Sequence, residues 1–208
     1  MITNAEPWDN LKFDMEGVVE VQRKFFGTLY NTYSFFALYA NVDKFKIDEK
    51  NIIPVKDRPE FDQWIISELQ SLIKEVTTQY EDYNPTKASR PIQDFVTDKL
   101  SNWYVRLSRR RFWKGEMTTD KKAAYETLYE CLMVVSQLMS PVAPFFAEWM
   151  YKNLSDNIRP EAIKNGTPLA AESIHLTELS KAEENLINKE LEQSMDLAQR
   201  ITSLVLSL

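Results

Sequence analysis

Four glycines in 208 residues constrain what this chain can fold into more than any other feature. Tight hairpin turns draw on glycine for backbone at positive φ. A chain so poor in it is expected to avoid hairpin-rich β architecture, and it has no glycine-rich loop to cradle a phosphate. Apolar residues recur instead at spacings of three, four and seven, the period of the α-helix. Hydrophobic residues make up 44% of the chain, enough for a packed core. The length suits one sizeable domain or a domain with an appendage. The sequence therefore predicts an all-α fold, an antiparallel helical bundle with short connections.

The expected helices can be placed one by one. The first covers about 15–41, with Val18, Val21, Phe25, Leu29, Phe36 and Tyr39 in helical register. Its remaining aromatics make it apolar nearly all round, which predicts extensive burial. Residues 42–58 are charged, contain Pro54 and read as a connection. A second helix starts near Pro59 and carries a stripe from Phe61 through Trp64, Leu69 and Val76 to Tyr80. In "YNPT", Asn84 is the expected N-cap and Pro85 the first helical position.

The third helix runs to about Trp113, with Pro91 expected to kink it near its start. Its predicted core face is Ile92, Val96, Leu100, Trp103 and Leu107. Gly115 closes it, and "MTTD" opens a fourth helix that reaches about Met139. Pro141 and Pro144 start a fifth, after which 155–172 reads as polar and irregular. Ser180 and Glu183 have capping-box spacing for a last helix over 180–208, which stops mid-pattern on "ITSLVLSL" as a truncated helix would. Trp64, Trp103 and Trp149 all sit on apolar stripes and are expected to lie between helices.

Several functional classes find no support. Cys131, the single cysteine, has no disulfide partner and no CxxC pair for zinc, which fits a reducing cytoplasm. It lies on an apolar helix face and reads as packing. The lone His175 has no partner at metal or general-base spacing. No run of 18 apolar residues would span a membrane, and "MITNAEPWDN" does not have the pattern of a signal peptide. No carboxylate pair stands alone in an apolar setting. A self-contained enzyme is not what these residues describe.

What stands out is "NWYVRLSRRRFWK". Between positions 99 and 114 there are six positive charges (Lys99, Arg106, Arg109, Arg110, Arg111 and Lys114) and no acid, in a chain of net charge −6. On an ideal helix Lys99, Arg106 and Arg110 share one side. Guanidinium groups match phosphate oxygens with paired hydrogen bonds, and exposed aromatics beside them can stack unpaired bases. The strip thus fits an RNA-binding face. It also fits a solvated helix face, or one that docks an acidic helix of a partner protein, and composition leaves these readings open.

Longer stretches add a resemblance. "PWDNLKFDMEGV", "RKFFGTLYNTYSFFALYANVD", "FDQWIISELQSL", "LSNWYVRLSRRRFWK", "KKAAYETLYECLMVVSQLMSPVAPFFAEWMYKNL" and "ESIHL" occur in that order. Together they resemble the isoleucyl-tRNA synthetase family, in the part that follows its catalytic core, almost continuously over 1–176. The family's two signatures for ATP and isoleucine chemistry, HIGH and KMSKS, are absent from this sequence. After "ESIHL" the family usually has a Trp-Pro pair, where this chain reads "TELSKAEENL".

The resemblance implies a helical anticodon-binding domain from a larger class I ligase. Residues 1–58 would be the helical connection from the catalytic core, 59–176 the anticodon-binding bundle, and 177–208 the start of a C-terminal helix. It implies the anticodon stem-loop of isoleucine tRNA as partner, alongside the catalytic and editing domains of the same chain. It also implies a cytoplasmic monomer, with ATP and Mg belonging to the full-length enzyme and no cofactor to this stretch. Lys99, Arg106, Arg109, Arg110, Arg111 and Lys114 become candidates for phosphate contacts, and Phe112 and Trp113 for stacking on a loop base.

Overall fold

Helix follows helix along residues 15–113 and 115–206, the part of the chain that the computed structural model describes, with no strand among them. The expected start signals operate at two helices. Asn84 accepts the Lys87 amide at 3.0 Å and opens α4 (Pro85–Asp94), with Pro85 at its first position. Thr118 accepts the Lys121 amide at 3.1 Å and opens α6 (Thr119–Met139). Each side-chain oxygen satisfies one of the amides that a helix start leaves without a partner.

Two helices form the centre. In α3 (Glu60–Glu81) the predicted stripe is buried, with Trp64, Ile65, Leu69 and Val76 fully enclosed. Ile66, Ser67, Glu68 and Gln70 are buried as well. α3 therefore lies inside the bundle on nearly all sides, touching α4, α6 and the C-terminal helix α9 (Lys189–Leu206). The helix α6 is the second central element, with Ala124, Leu128, Cys131, Leu132, Val135 and Leu138 fully buried. Each large side chain so enclosed contributes roughly 1.5–3 kcal/mol.

The outer elements depart from expectation in instructive ways. The first predicted helix forms as α1 (Met15–Val21), a π-helical turn (Gln22–Phe26) and α2 (Gly27–Val42). Only Leu29, Thr32, Phe36 and Ala40 of it are buried, so one flank reaches the core while Tyr30 and Leu38 stay exposed. The polar 155–172 stretch is not wholly irregular, since it contains α8 (Arg159–Asn165), begun by Pro160 and closed by Gly166 at φ 65°. The Thr167 amide returns to the Ala162 carbonyl at 3.1 Å across that left-handed glycine.

Trp149, expected inside, is 37% exposed on α7 (Pro144–Ser155). The core face of α7 is Ala147, Met150, Tyr151 and Leu154, which leaves Trp149 on the flank against Tyr30 and Tyr33.

The capping box at Ser180 does not form. The Ser180 hydroxyl instead bonds the Gln137 side chain, and the Glu183 amide donates to Gln70 Oε1 at 2.9 Å. Residues 180–188 thereby cross α6 and α3 without forming an α-helix, and Asn188 caps α9 through the Leu191 amide at 3.1 Å.

Candidate RNA-binding surface

The basic strip lies where two kinds of helix meet. Pro91 takes away the donor that would have met the Lys87 carbonyl, and after Asp94 the chain runs as a π-helix (Phe95–Val105) before α5 (Arg106–Trp113) resumes the α form. A π-helix bonds each amide to a carbonyl five residues back, so each turn takes more residues. The buried positions Ile92, Val96, Leu100, Tyr104, Ser108 and Phe112 accordingly recur at every fourth residue. Trp103 is only half-buried, its indole N–H donating to Met195 Sδ at 3.2 Å, and Leu107 is 55% exposed. The widened turns move the core face from Trp103 and Leu107 to Tyr104, Ser108 and Phe112.

The same change of register divides the strip. Lys99 no longer lies in line with Arg106 and Arg110. It turns towards α3 and pairs with Glu68 at 2.5 Å. Burial raises the Glu68 carboxyl, and Lys99 pulls it back only in part. Lys99 is therefore a partner for a buried acid rather than a free cation. Lys99→Ala is expected to cost about 1–3 kcal/mol in urea unfolding, because it strands a largely buried carboxylate. It should leave the salt dependence of RNA binding as it was.

Arg111 is held still more firmly. Its Nη1 and Nη2 donate to the two oxygens of Asp62 at 2.6 and 2.7 Å. Its Nε reaches Asp120 Oδ2 at 3.1 Å, and Nη2 also donates to the Asp120 carbonyl at 2.8 Å. Asp62 is fully buried and accepts a further hydrogen bond from the Tyr104 hydroxyl at 2.7 Å. Burial opposes the charge on Arg111, but its bonds to Asp62 and Asp120 more than offset this and hold the guanidinium protonated. Burial, reinforced by the Asp62 charge, pushes the Tyr104 phenol well up. Arg111 thus ties α5 to the starts of α3 and α6.

Phe112 is 1% exposed and packs edge-on against Phe35 and Tyr125, with ring centroids at 5.1 and 4.9 Å. It has no face to offer a base. Lys114 lies outside the described residues.

Four candidates remain, and they lie together. Arg106, Arg109, Arg110 and Trp113 follow the i, i+3, i+4, i+7 pattern that makes one face of an α-helix. All four are exposed, Trp113 by 57%. The three arginines make no hydrogen bond or ion pair with the described residues. They form a compact cationic face with an aromatic ring at its end, mounted on a helix whose other side is anchored by Phe112 and Arg111.

Residues 62–208 match the family described as the anticodon-binding domain of tRNA ligase. The chain belongs to that family. The anticodon-binding domain has close relatives among curated proteins. It is 57% identical over its whole length to an isoleucine–tRNA ligase of Bacteroides thetaiotaomicron, of which it covers 17%. It is 56% identical to that of Cytophaga hutchinsonii, covering 18% of that protein. Over 97% of the chain it is 43% identical to the Dehalococcoides mccartyi ligase, covering 19% of it. The chain thus spans less than a fifth of the length of these relatives.

The domain's helical fold agrees with the all-α expectation. No described helix is long and apolar enough to cross a membrane. Sequence reasoning passed over the acids that select among the basic residues, Glu68 and Asp62. Their one visible signal is their place on α3 amid the apolar stripe, where an acid needs a partner. Which basic residue answers each acid depends on how the π-helix turns the strip.

Proposed function

We propose that this chain binds the anticodon stem-loop of an isoleucine-accepting tRNA, as the RNA-binding part of an isoleucine–tRNA ligase. In this reading the remainder of the ligase, with ATP and Mg, attaches isoleucine to the tRNA, and residues 1–58 form the connection to the catalytic core. The observation that carries the reading is the face of α5, where Arg106, Arg109 and Arg110 are exposed without partners among the described residues. On a protein of net charge −6, three such cations side by side produce a local positive field. Phosphates answer it in charge and in hydrogen-bonding geometry. Lys99 and Arg111, spent on Glu68 and Asp62, hold that face in position.

Trp113 has a separate task in this reading. Exposed at the end of α5, it offers a ring on which an unpaired loop base stacks. Trp113→Ala should weaken binding by about 1–3 kcal/mol with little change in salt slope, because stacking releases few counterions. The test of the function itself is a gel shift of the isoleucine tRNA anticodon stem-loop against a scrambled loop of equal charge. Tighter binding of the true stem-loop is the expected result. Equal affinity for both would remove the anticodon from the proposal.

A further inference from the structure

On the far side of α2 from α5 there is a cavity of about 480 Å³. Phe35 and Tyr39 face Phe112 of α5, whereas Phe36 and Ala40, one residue further on, line this cavity. It is therefore separate from the arginine face. Its floor is apolar and aromatic, built from Phe36, Phe45 and Ile158. Asn41 and Asn157 bring carboxamides to its wall, and Lys44 and Lys46 stand exposed at its edge.

Two details go beyond a chance hollow. Tyr129 lines the cavity and is 8% exposed, yet its hydroxyl has neither a hydrogen-bond partner nor contact with solvent. A buried hydroxyl without a partner is costly and uncommon in a folded protein. In addition, Lys44 adopts φ 52°, a left-handed conformation that glycine takes with far less strain. The acid beside it, Asp43, is already engaged by Lys121 and by the Tyr125 hydroxyl. Lys44 and Lys46 are the charged side chains that line the cavity, and Glu49 lies near enough to Tyr129 for its negative charge to help burial push that phenol up.

We infer that this cavity is a nucleotide-binding site, with the base on the Phe36–Phe45 floor and the phosphate at Lys44 and Lys46. An aromatic floor suits a planar base. Carboxamides offer a donor and an acceptor side by side, which matches the edge of a base. Ammonium groups at the edge suit a phosphate. A polar atom of the base reaching the inner end gives the Tyr129 hydroxyl its missing partner. The ligand is either a free nucleotide or a nucleotide of a bound RNA.

The test is calorimetric titration of the 208-residue chain with adenosine, guanosine, cytidine and uridine 5′-monophosphates, alongside amide chemical-shift mapping. Saturable binding of at least one of them is expected, with shifts at 41–47 and 153–158. Tyr129→Phe should weaken that binding about tenfold while leaving the melting temperature equal or higher, since it removes an unpartnered buried hydroxyl. A purely structural tyrosine would not give that combination. Lys44→Ala/Lys46→Ala should weaken nucleotides more than the corresponding nucleosides. Arg106→Ala/Arg110→Ala should leave free-nucleotide binding unchanged, which keeps this result apart from the fate of the RNA reading of α5. Competition between the anticodon stem-loop and the free nucleotide would assign the site to a base of bound RNA, and simultaneous binding would assign it to a free nucleotide. No saturable binding of any of the four, or equal binding by Tyr129→Phe and wild type, overturns the proposal.

Discussion

Arg111→Ala is expected to destabilise the domain by about 3–5 kcal/mol, read as a lower urea midpoint. The side chain touches no ligand in this account, and its effect arises from what it leaves behind. Asp62 is fully buried and would lose two hydrogen bonds and its countercharge together. Tyr104 would remain as its one hydrogen-bond donor among the described residues, at 2.7 Å. Stranding a buried carboxylate costs much more than losing an exposed ion pair, whose worth is about 0–1 kcal/mol.

A deficit under about 1 kcal/mol would mean that Asp62 finds another partner once Arg111 is gone.

Arg111 also marks the limit of what the local sequence determines. Helix positions, the caps at Asn84 and Thr118 and the burial of Trp64 follow from periodicity and local capping chemistry, which neighbouring residues decide. The faces of the third predicted helix do not. A 3.6-residue period selects Trp103 and Leu107, whereas the π-helical segment brings in Tyr104, Ser108 and Phe112. The one local signal of the change is Pro91 upstream, and the segment itself packs against α3 and α2.

The strip was legible as a charge cluster, and the structure divides it. Of the eight residues that the resemblance offers as RNA contacts, Lys99 and Arg111 are claimed by acids on another helix. Such pairings join residues 31 and 49 positions apart, beyond the reach of any local pattern. The Ser180 capping box failed for a related reason. Its residues found partners in Gln137 and Gln70, and the helix began only at a second capping residue, Asn188.

The largest functional effect is expected from Arg106→Ala/Arg109→Ala/Arg110→Ala. All three side chains are exposed and bonded to no described residue, so their removal should change stability by under about 1 kcal/mol. Removing three phosphate contacts should instead lower RNA affinity across all sequences and flatten its response to salt. In a full-length ligase carrying the same changes, tRNA should bind more weakly while isoleucine activation is untouched. This separates the arginines from Arg111, whose loss should act first on folding.

Whether the exposed face of α5 contacts RNA phosphates is decided by the salt dependence of binding. Affinity for the isoleucine tRNA anticodon stem-loop would be measured over a series of salt concentrations for wild type and the triple arginine variant, with the melting temperature of each recorded. The plot of log affinity against log salt should be shallower by about two to three units in the variant, at nearly unchanged melting temperature. An unchanged slope in a variant that melts early would contradict it, and would make the three arginines struts of the bundle.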